Sequence, residues 1–407
     1  VKILVLNAGS SSQKSRLYDI ADNRALPEIA PAPLWQADAD WTHHRGATEV
    51  KISTASGVTL EDNLDTDVRS DVIEYILRAF WSGKTQVLSQ ASGIDIVGHR
   101  VVHGGDEFEK SILVTPEVKL AISRMAVLAP LHNPANLEGI EVLERKLPGV
   151  PQVAVFDTAF HRHMPLEAMV YPGPYEWFEQ KIHRYGFHGI SHQYCSQRTA
   201  QILGKDIESL RLITCHLGNG CSLAAIQHGH SIETTMGFTP LEGLMMGSRS
   251  GSIDPGIVLY LLQQKILTIE QLDETLNKAS GLKGISGSGD MRQVLHDSKE
   301  GKPQAKLAFD MFVHRLRYYI GAMLATLGGL DALVFTGGIG ENAAEVRAAA
   351  CESFAFLGLE LDAQKNKQSP VDHDISAVDS TIPVLIIHTE EDWAIARDCW
   401  ELAQSCD

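Results

Sequence analysis

Twice in this chain an apolar strand runs into a short loop of glycine and polar residues and leaves it as a second strand. Residues 3–6 lead into Asn7-Ala8-Gly9-Ser10-Ser11-Ser12-Gln13-Lys14. Residues 212–215 lead into His216-Leu217-Gly218-Asn219-Gly220-Cys221-Ser222 and then an apolar run over 223–226. Such a loop turns backbone N–H groups and hydroxyls into a concave surface that suits phosphate. A Gly/Ser turn also closes ordinary hairpins, so two unrelated hairpins would read the same way. If the halves are related, each contributes one phosphate-gripping hairpin, and a nucleotide is expected between two domains.

At 407 residues the chain exceeds one compact core, and more than one domain is expected. Further strands are read at 94–97, 153–156, 332–335 and 384–387, alternating with helical patterns. The clearest helix spans 305–327, where Phe309, Phe312, Val313, Leu316, Ile320, Met323, Leu324 and Leu327 recur at three- and four-residue steps. Residues 30–65, with Pro31, Pro33 and a polar turn at 42–46, read as a β-rich or loop excursion. Alternating strands and helices define an α/β class. The net charge of −16 excludes a nucleic-acid or acidic-membrane partner as the expected target. No apolar run reaches the ~20 residues of a membrane span, and no secretory leader pattern is read at the start of the chain. Six sparse cysteines without a C-x-x-C pair point to a reduced, cytoplasmic setting.

A third glycine-rich stretch, Phe335-Thr336-Gly337-Gly338-Ile339-Gly340-Glu341-Asn342, follows a buried strand and opens a helix expected over 343–354. That order makes an anion or nucleotide site. The spacing is not G-x-G-x-x-G. A Walker loop at Gly83-Lys84-Thr85 is excluded because its first glycine would fall on Arg78. Arg100 lies in Gly98-His99-Arg100-Val101-Val102-His103-Gly104-Gly105 and Arg249 in Gly247-Ser248-Arg249-Ser250-Gly251. An arginine among small loop residues presents its fork to an anion more readily than one on a solvated helix. Asp157 ends a strand, where α/β proteins gather functional groups. His188 and His192 stand four apart, but the zinc motif would need Glu at Gly189, so a hydrogen-bond donor or structural role is preferred. Glu390, Glu391 and Asp392 are either oxygen ligands for Mg²⁺ or the acidic first turn of the last helix.

Taken together, these stretches resemble the acetate kinase family of the acetate and sugar kinase, actin and heat-shock chaperone superfamily. The matching segments are NAGSSSQK, GHRVVHGG, LAPLHNP, FDTAFH, RYGFHGISH, HLGNGCS, TTMGFTPLEGLMMGSRSGSIDP and FTGGIGEN, spread over residues 3 to about 397. The resemblance implies two ribonuclease-H-like (actin-like ATPase) domains with an interdomain active-site cleft. The first is expected over 1–158 plus 392–407, carrying the first phosphate hairpin and the acetate-side residues. The second is expected over 159–391, carrying the nucleotide loops and dimer contacts. The implied reaction is ATP + acetate ⇌ ADP + acetyl phosphate, with Mg²⁺ (or Mn²⁺), in a homodimer.

By position, the resemblance makes Asn7 and Glu391 metal-site residues and Ser12 and Lys14 ATP contacts. Arg100 takes the carboxylate-binding role, with Val102, Leu131, Phe187 and Pro240 around the methyl group. Asp157, His188 and Arg249 take the catalytic roles. The ATP loops are His216, Leu217, Gly218, Asn219 and Gly220; Asp290, Met291 and Arg292; and Gly338, Ile339, Gly340, Glu341 and Asn342. Phosphoryl transfer needs this inventory, because negative charge spreads over the transferred group while two anions are pressed together. Acetate is already a nucleophile at neutral pH, so Asp157 is expected to orient a neighbour and not to remove a proton, with direct in-line transfer. A propionate kinase, or a non-catalytic ATP-driven closure module, are the competing readings. The chain departs from the family pattern at Gln13 and Ser15, which replace apolar residues, and at Glu390, which replaces a common Asn. The stretch 286–292 is also about one residue short, which bears on nucleotide preference.

Overall fold

The computed structural model describes residues 1–9, 12–21, 26–41, 46–130 and 132–404. The chain forms two compact units, Val1–Ala159 with Glu390–Asp407, and Phe160–Thr389. Ala159, Glu390 and Glu391 thus pack with the first unit, not with the second as the sequence reading has them; Glu391 is tied to it by a hydrogen bond from Asn7.

The first unit is built on an eight-stranded sheet. Its strands are β1 (Lys2–Ala8), β2 (Ser12–Asp19), β3 (Trp35–Asp40), β4 (Thr48–Thr54), β5 (Thr59–Leu64), β6 (Ile96–Val101), β7 (Ile112–Leu113) and β8 (Gln152–Phe156). Their order is β5-β4-β3-β2-β1-β6-β8-β7. Strands β1 to β5 form an antiparallel meander, and β6 and β8 run parallel to β1. The excursion at 30–65 is therefore strand, although residues 42–45 of its polar turn lie outside the described set. Its signal is faint because alternate residues only are buried, and two of the three inward ones in β3 are Ala37 and Ala39. Trp35 compensates by stacking on Phe80 of the helix Arg69–Trp81, with ring centroids 4.0 Å apart.

Strand β6 runs to Val101 where the sequence suggested an earlier end. Gly98 looks like a strand breaker, yet it is where the C-terminal helix Glu391–Gln404 crosses the sheet: a Cβ there would sit 2.6 Å from Cys399 Sγ and Ile395 Cγ2. This extension carries Arg100 inside the strand, paired with Val155 of β8.

The second unit repeats the plan with β9 (Arg211–Leu217), β10 (Cys221–Gln227), β11 (His230–Thr234), β12 (Ala332–Thr336), β13 (His373–Asp374) and β14 (Val384–Ile386), ordered β11-β10-β9-β12-β14-β13. Here three antiparallel strands, β9 to β11, are joined by β12 and β14 running parallel to β9, where the first unit has five antiparallel strands and two parallel ones. The hairpins β1–β2 and β9–β10 hold the same place in the two sheets, so the repeated sequence pattern reflects a repeated fold. The long helix is Pro303–Leu327, opened by proline and stopped at Gly328, which has φ +64. Residues 337–342 are not an open loop: Gly337–Asn342 is a helical turn, and a separate helix, Ala344–Glu352, follows. Gly337 makes the corner with φ +77, where a Cβ would meet Leu217 O at 2.8 Å.

Asp398 of the C-terminal helix accepts a hydrogen bond from the Ser111 hydroxyl. Burial, with Glu401 nearby, pushes its carboxyl up to about 6 from an ordinary 3.8. A raised carboxyl favours the protonated form in the fold, so ionisation destabilises the protein above that pKa and the penalty fades as pH falls toward the unfolded value. Asp398→Asn is expected to raise Tm at about pH 7.5 and to bring little gain at about pH 4, read by thermal denaturation at both.

Candidate active site

In the first unit, strand ends deliver a cluster of charged groups. Asn7 is next to last in β1, Arg100 lies in β6, Asp157 follows β8, and Glu391 and Asp392 open the C-terminal helix. Arg100 directs Nε (3.1 Å) and Nη2 at Asp157 Oδ2, and Nη1 at Asn7 Oδ1 (3.4 Å). The Asn7 amide nitrogen donates to Glu391 Oε2 (3.3 Å) and Asp392 Oδ1 (2.8 Å). Burial alone would lower the pKa of Arg100, but Asp157, then Glu391 and Asp392, outweigh it and raise it. Burial likewise raises the Asp392 carboxyl, against Arg16 and Lys14. Arg16 Nε lies 3.5 Å from Asp392 Oδ2.

Two hard carboxylates meeting at one amide fit a Mg²⁺ ion. Asn7, however, turns its nitrogen to them and its oxygen to Arg100, so it orders the acids. Ser12 and Lys14 lie on the exposed face of β2, not in the loop; Gln13 and Ser15 face inward. Those two departures from an apolar pattern are satisfied internally: Gln13 Nε2 reaches Ser15 Oγ (3.5 Å) and Arg69 Nη1 reaches Gln13 Oε1 (3.3 Å). Val102 is buried, and its N–H donates to Asn136 Oδ1 (3.1 Å). The Asn136 amide also donates to Ala8 O (3.4 Å), tying the end of β1 to the segment after β6. Leu131 lies outside the described residues.

In the second unit, His188 and Arg249 meet over the turn of the β9–β10 hairpin. A Cβ on Gly220 would lie 3.1 Å from Arg249 Nη2 and 3.3 Å from His188 Cε1. His188 has φ +57, a left-handed conformation uncommon for a residue with a side chain, at the start of the helix Gly189–Leu203. Its Nδ1 bonds Ser222 Oγ (2.9 Å) and its ring stacks on His216 at 4.3 Å. His192 places Nε2 on the same Ser222 hydroxyl (2.7 Å) and Nδ1 on Thr214 Oγ1 (2.7 Å). Burial, then His161 and His216, hold His192 well below its ordinary pKa, so it is a neutral relay that steadies Ser222 and His188. The four-residue histidine spacing is therefore a hydroxyl network, not a zinc pair. Arg249 Nη1 donates to Pro240 O (2.7 Å), and burial lowers its pKa. Phe187 is buried, with its carbonyl 3.0 Å from His161 Nε2.

A cavity of about 710 Å³ in this unit gathers Gly218 and Asn219 from the hairpin turn, Gly289 to Arg292 and Leu295, and Gly338, Ile339, Asn342 and Ala343. His216, Leu217 and Gly220 are not in its wall; His216 and Leu217 belong to β9 itself. Gly340 and Glu341 face inward: the Gly340 carbonyl accepts from Arg347 (2.7 Å), and Glu341 accepts from the Gly337 N–H (3.0 Å) and contacts His388 (2.7 Å). Asp290 caps the helix Met291–Lys299 and pairs with Arg292. The shortened stretch before it is closed by Ser286 Oγ on Ser288 O (3.0 Å) and by Gly289 lying on Gly247.

Sequence reasoning missed Asn136, Ser222 and Leu295; it read Asp392 as an Mg²⁺ ligand or a first-turn acid, and His192 as a hydrogen-bond donor or structural histidine. Asn136 and Ser222 act through hydrogen bonds to partners far away in the chain, which leave no local pattern. Asp392 had a signal, since it adjoins Glu391 at a helix start.

The acetokinase family model matches residues 2–397. An acetate kinase of Trichormus variabilis is 60% identical over 403 residues, 99% of each chain. One from Nostoc punctiforme is 59% identical over 406 residues, 100% of each chain. Among solved structures, Porphyromonas gingivalis acetate kinase superposes with TM-score 0.89 at 39% identity, covering 99% of both chains. A propionate kinase from Francisella tularensis gives 0.88 at 39% identity, covering 98% of this chain and 99% of that one. The fold is the actin-like ATPase fold, and the protein is a phosphotransferase with a carboxyl acceptor. The chain belongs to the acetokinase family.

Proposed function

We propose that the chain transfers the γ-phosphoryl group of ATP reversibly to acetate, giving ADP and acetyl phosphate by direct in-line displacement. The observation that carries this reading is the guanidinium of Arg249 and the imidazole of His188 over the Gly220 turn. A phosphoryl group gripped by that turn meets two donors aimed at its equatorial oxygens, where charge builds in the transition state.

ATP fits the 710 Å³ cavity of the second unit. Met291, Leu295, Ile339 and Ala343 offer an apolar side to a base, and the Gly218–Asn219 turn and Gly338 offer backbone to phosphates. In the first unit, Arg100 receives the acetate carboxylate, with Asp157 holding its fork. Asp157 removes no proton, because acetate arrives ionised. Glu391 and Asp392, ordered by Asn7, would hold Mg²⁺, which neutralises nucleotide phosphate charge when bound.

Val102 is the acetate-side residue that limits the acyl chain. Relatives 60% and 59% identical are acetate kinases, whereas the solved propionate kinase is 39% identical, so acetate is the favoured acceptor and the pocket volume at Val102 sets how strictly. The working assembly is a homodimer. The helix Pro255–Gln263 buries none of its residues within this chain, and Ile257, Leu259 and Tyr260 are 47%, 58% and 57% exposed. A contiguous apolar helix of this kind calls for a second copy. Among the described residues no helix is long and apolar enough to cross a membrane. The thiols of Cys215, Cys221, Cys351 and Cys399 suit a reducing cytoplasm.

Acyl phosphate formation from Mg-ATP, trapped as hydroxamate with acetate, propionate and butyrate side by side, is expected to be fastest with acetate. No acyl phosphate with any of the three would overturn the reading. Arg249→Ala should lower kcat by about 10³; a loss below about tenfold would remove its role. Val102→Ala should lower KM for propionate more than for acetate, since one methylene is worth ~1–3 kcal/mol in such a pocket. Leu259→Glu should halve the mass seen by light scattering after size exclusion.

A further inference from the structure

Arg249 and Pro240 lie in an irregular stretch, residues 235–254, with no helix or strand to hold it. Besides backbone bonds such as Gly247 N–H to Asn219 O and Ser250 N–H to Leu276 O, one partly buried arginine holds it. Arg184 places Nη1 at 3.2, 3.3 and 3.1 Å from the carbonyl oxygens of Thr234, Thr235 and Met236. Its Nη2 donates to Glu242 Oε1 (2.9 Å) and its Nε to Ala168 O (3.3 Å). The other Glu242 oxygen accepts the Tyr171 hydroxyl hydrogen, and that hydroxyl accepts the Phe238 N–H (2.9 Å). Gly237 sits inside this knot. A Cβ there would lie 1.8 Å from Glu242 Oε2 and 2.0 Å from Tyr171 Oη, so the backbone closes on the side chains without slack.

The knot reaches both groups at the Gly220 turn. Pro240, whose carbonyl receives Arg249 Nη1, lies between Gly237 and Glu242 and is held from both sides. The N–H groups of Tyr185 and Gly186 donate to Gly237 O (3.1 and 3.3 Å), fixing the segment that ends in His188. Gly186 has φ +77 and packs on His161 and Thr234, so this approach is equally tight.

We propose that Arg184, with Glu242 and Tyr171, is a positioning clamp that sets the Pro240 carbonyl and the 185–188 segment, and so aims Arg249 and His188 at one phosphoryl group. The clamp touches no substrate. It rests on the roles proposed above for Arg249 and His188. A near-isosteric loosening of it costs turnover, while the ATP cavity, walled by other segments, keeps its affinity.

The test is a double-mutant cycle on the full chain, with kcat, KM for ATP and Tm measured for Glu242→Gln, Arg249→Ala and both together. Glu242→Gln is expected to lower kcat about tenfold with KM for ATP within about twofold. In the Arg249→Ala background it should add less than about twofold, since the group it aims is gone. Losses that multiply in the double variant, or an unchanged kcat in folded Glu242→Gln, would overturn the clamp. Arg249→Ala alone tests the underlying site: if it loses less than about tenfold, that reading fails and not the clamp by itself. Should Glu242→Gln not fold, Tyr171→Phe keeps the Arg184–Glu242 pair; there, a lowered Tm with kcat within about twofold of the parent would overturn the proposal.

Discussion

A guanidinium taken out of water must find a partner for every N–H, and that requirement organises the irregular parts of this chain. Arg347 is wholly buried and reaches Gly340 O, Glu341 O, Asn366 Oδ1, Asn366 O and Ser369 Oγ. It thereby fixes the carbonyl end of the helical turn whose other residues wall the cavity. Arg184 does the same for the stretch holding Pro240. Arg100 satisfies its donors on Asp157 and Asn7, and Arg249 gives one to a carbonyl. In a protein with net charge −16, these are cations kept away from the surface and held still.

Rigidity of that kind has a chemical use. Electrostatic stabilisation of a transferring phosphoryl group is effective when donors are already in place and need not reorganise. A carbonyl-bound arginine is immobile without being neutralised by a carboxylate. Arg249, bonded to Pro240 O, keeps its charge for a ligand. Arg100 is different: Asp157 pairs with it directly. The hydroxyl chain Thr214–His192–Ser222–His188 serves the same end, setting the direction of the His188 ring through a neutral relay.

The repeated sheet plan explains why each unit places functional groups at corresponding strand ends. In both, the first hairpin closes through a glycine N–H: Gly9 to Ser12 O and Gly218 to Gly220 O, at 2.8 and 2.9 Å. Strands next to that hairpin then end in a functional residue or glycine turn, Arg100 and Asp157 in one unit and Gly337 in the other. Variation lies in what is added. The first unit extends its antiparallel edge with β4 and β5, and the second inserts the long stretch 235–254.

The α/β class, the two hairpins, the long helix and most of the charged candidates are legible in the amino-acid order, because apolar period and glycine placement are local properties. Arg100 and Arg249 stand out for the same reason, each being a cation among small residues. What the order of residues leaves open is everything that depends on distant partners. It does not say that Gly98 continues a strand, since the reason is a helix almost three hundred residues later. Nor does it say that Gly337–Asn342 coils, that Asn7 turns its nitrogen toward Glu391, or that Arg184 gathers three carbonyls fifty residues on. Those outcomes are decided by which buried polar groups meet, and only the folded chain brings them within hydrogen-bonding range.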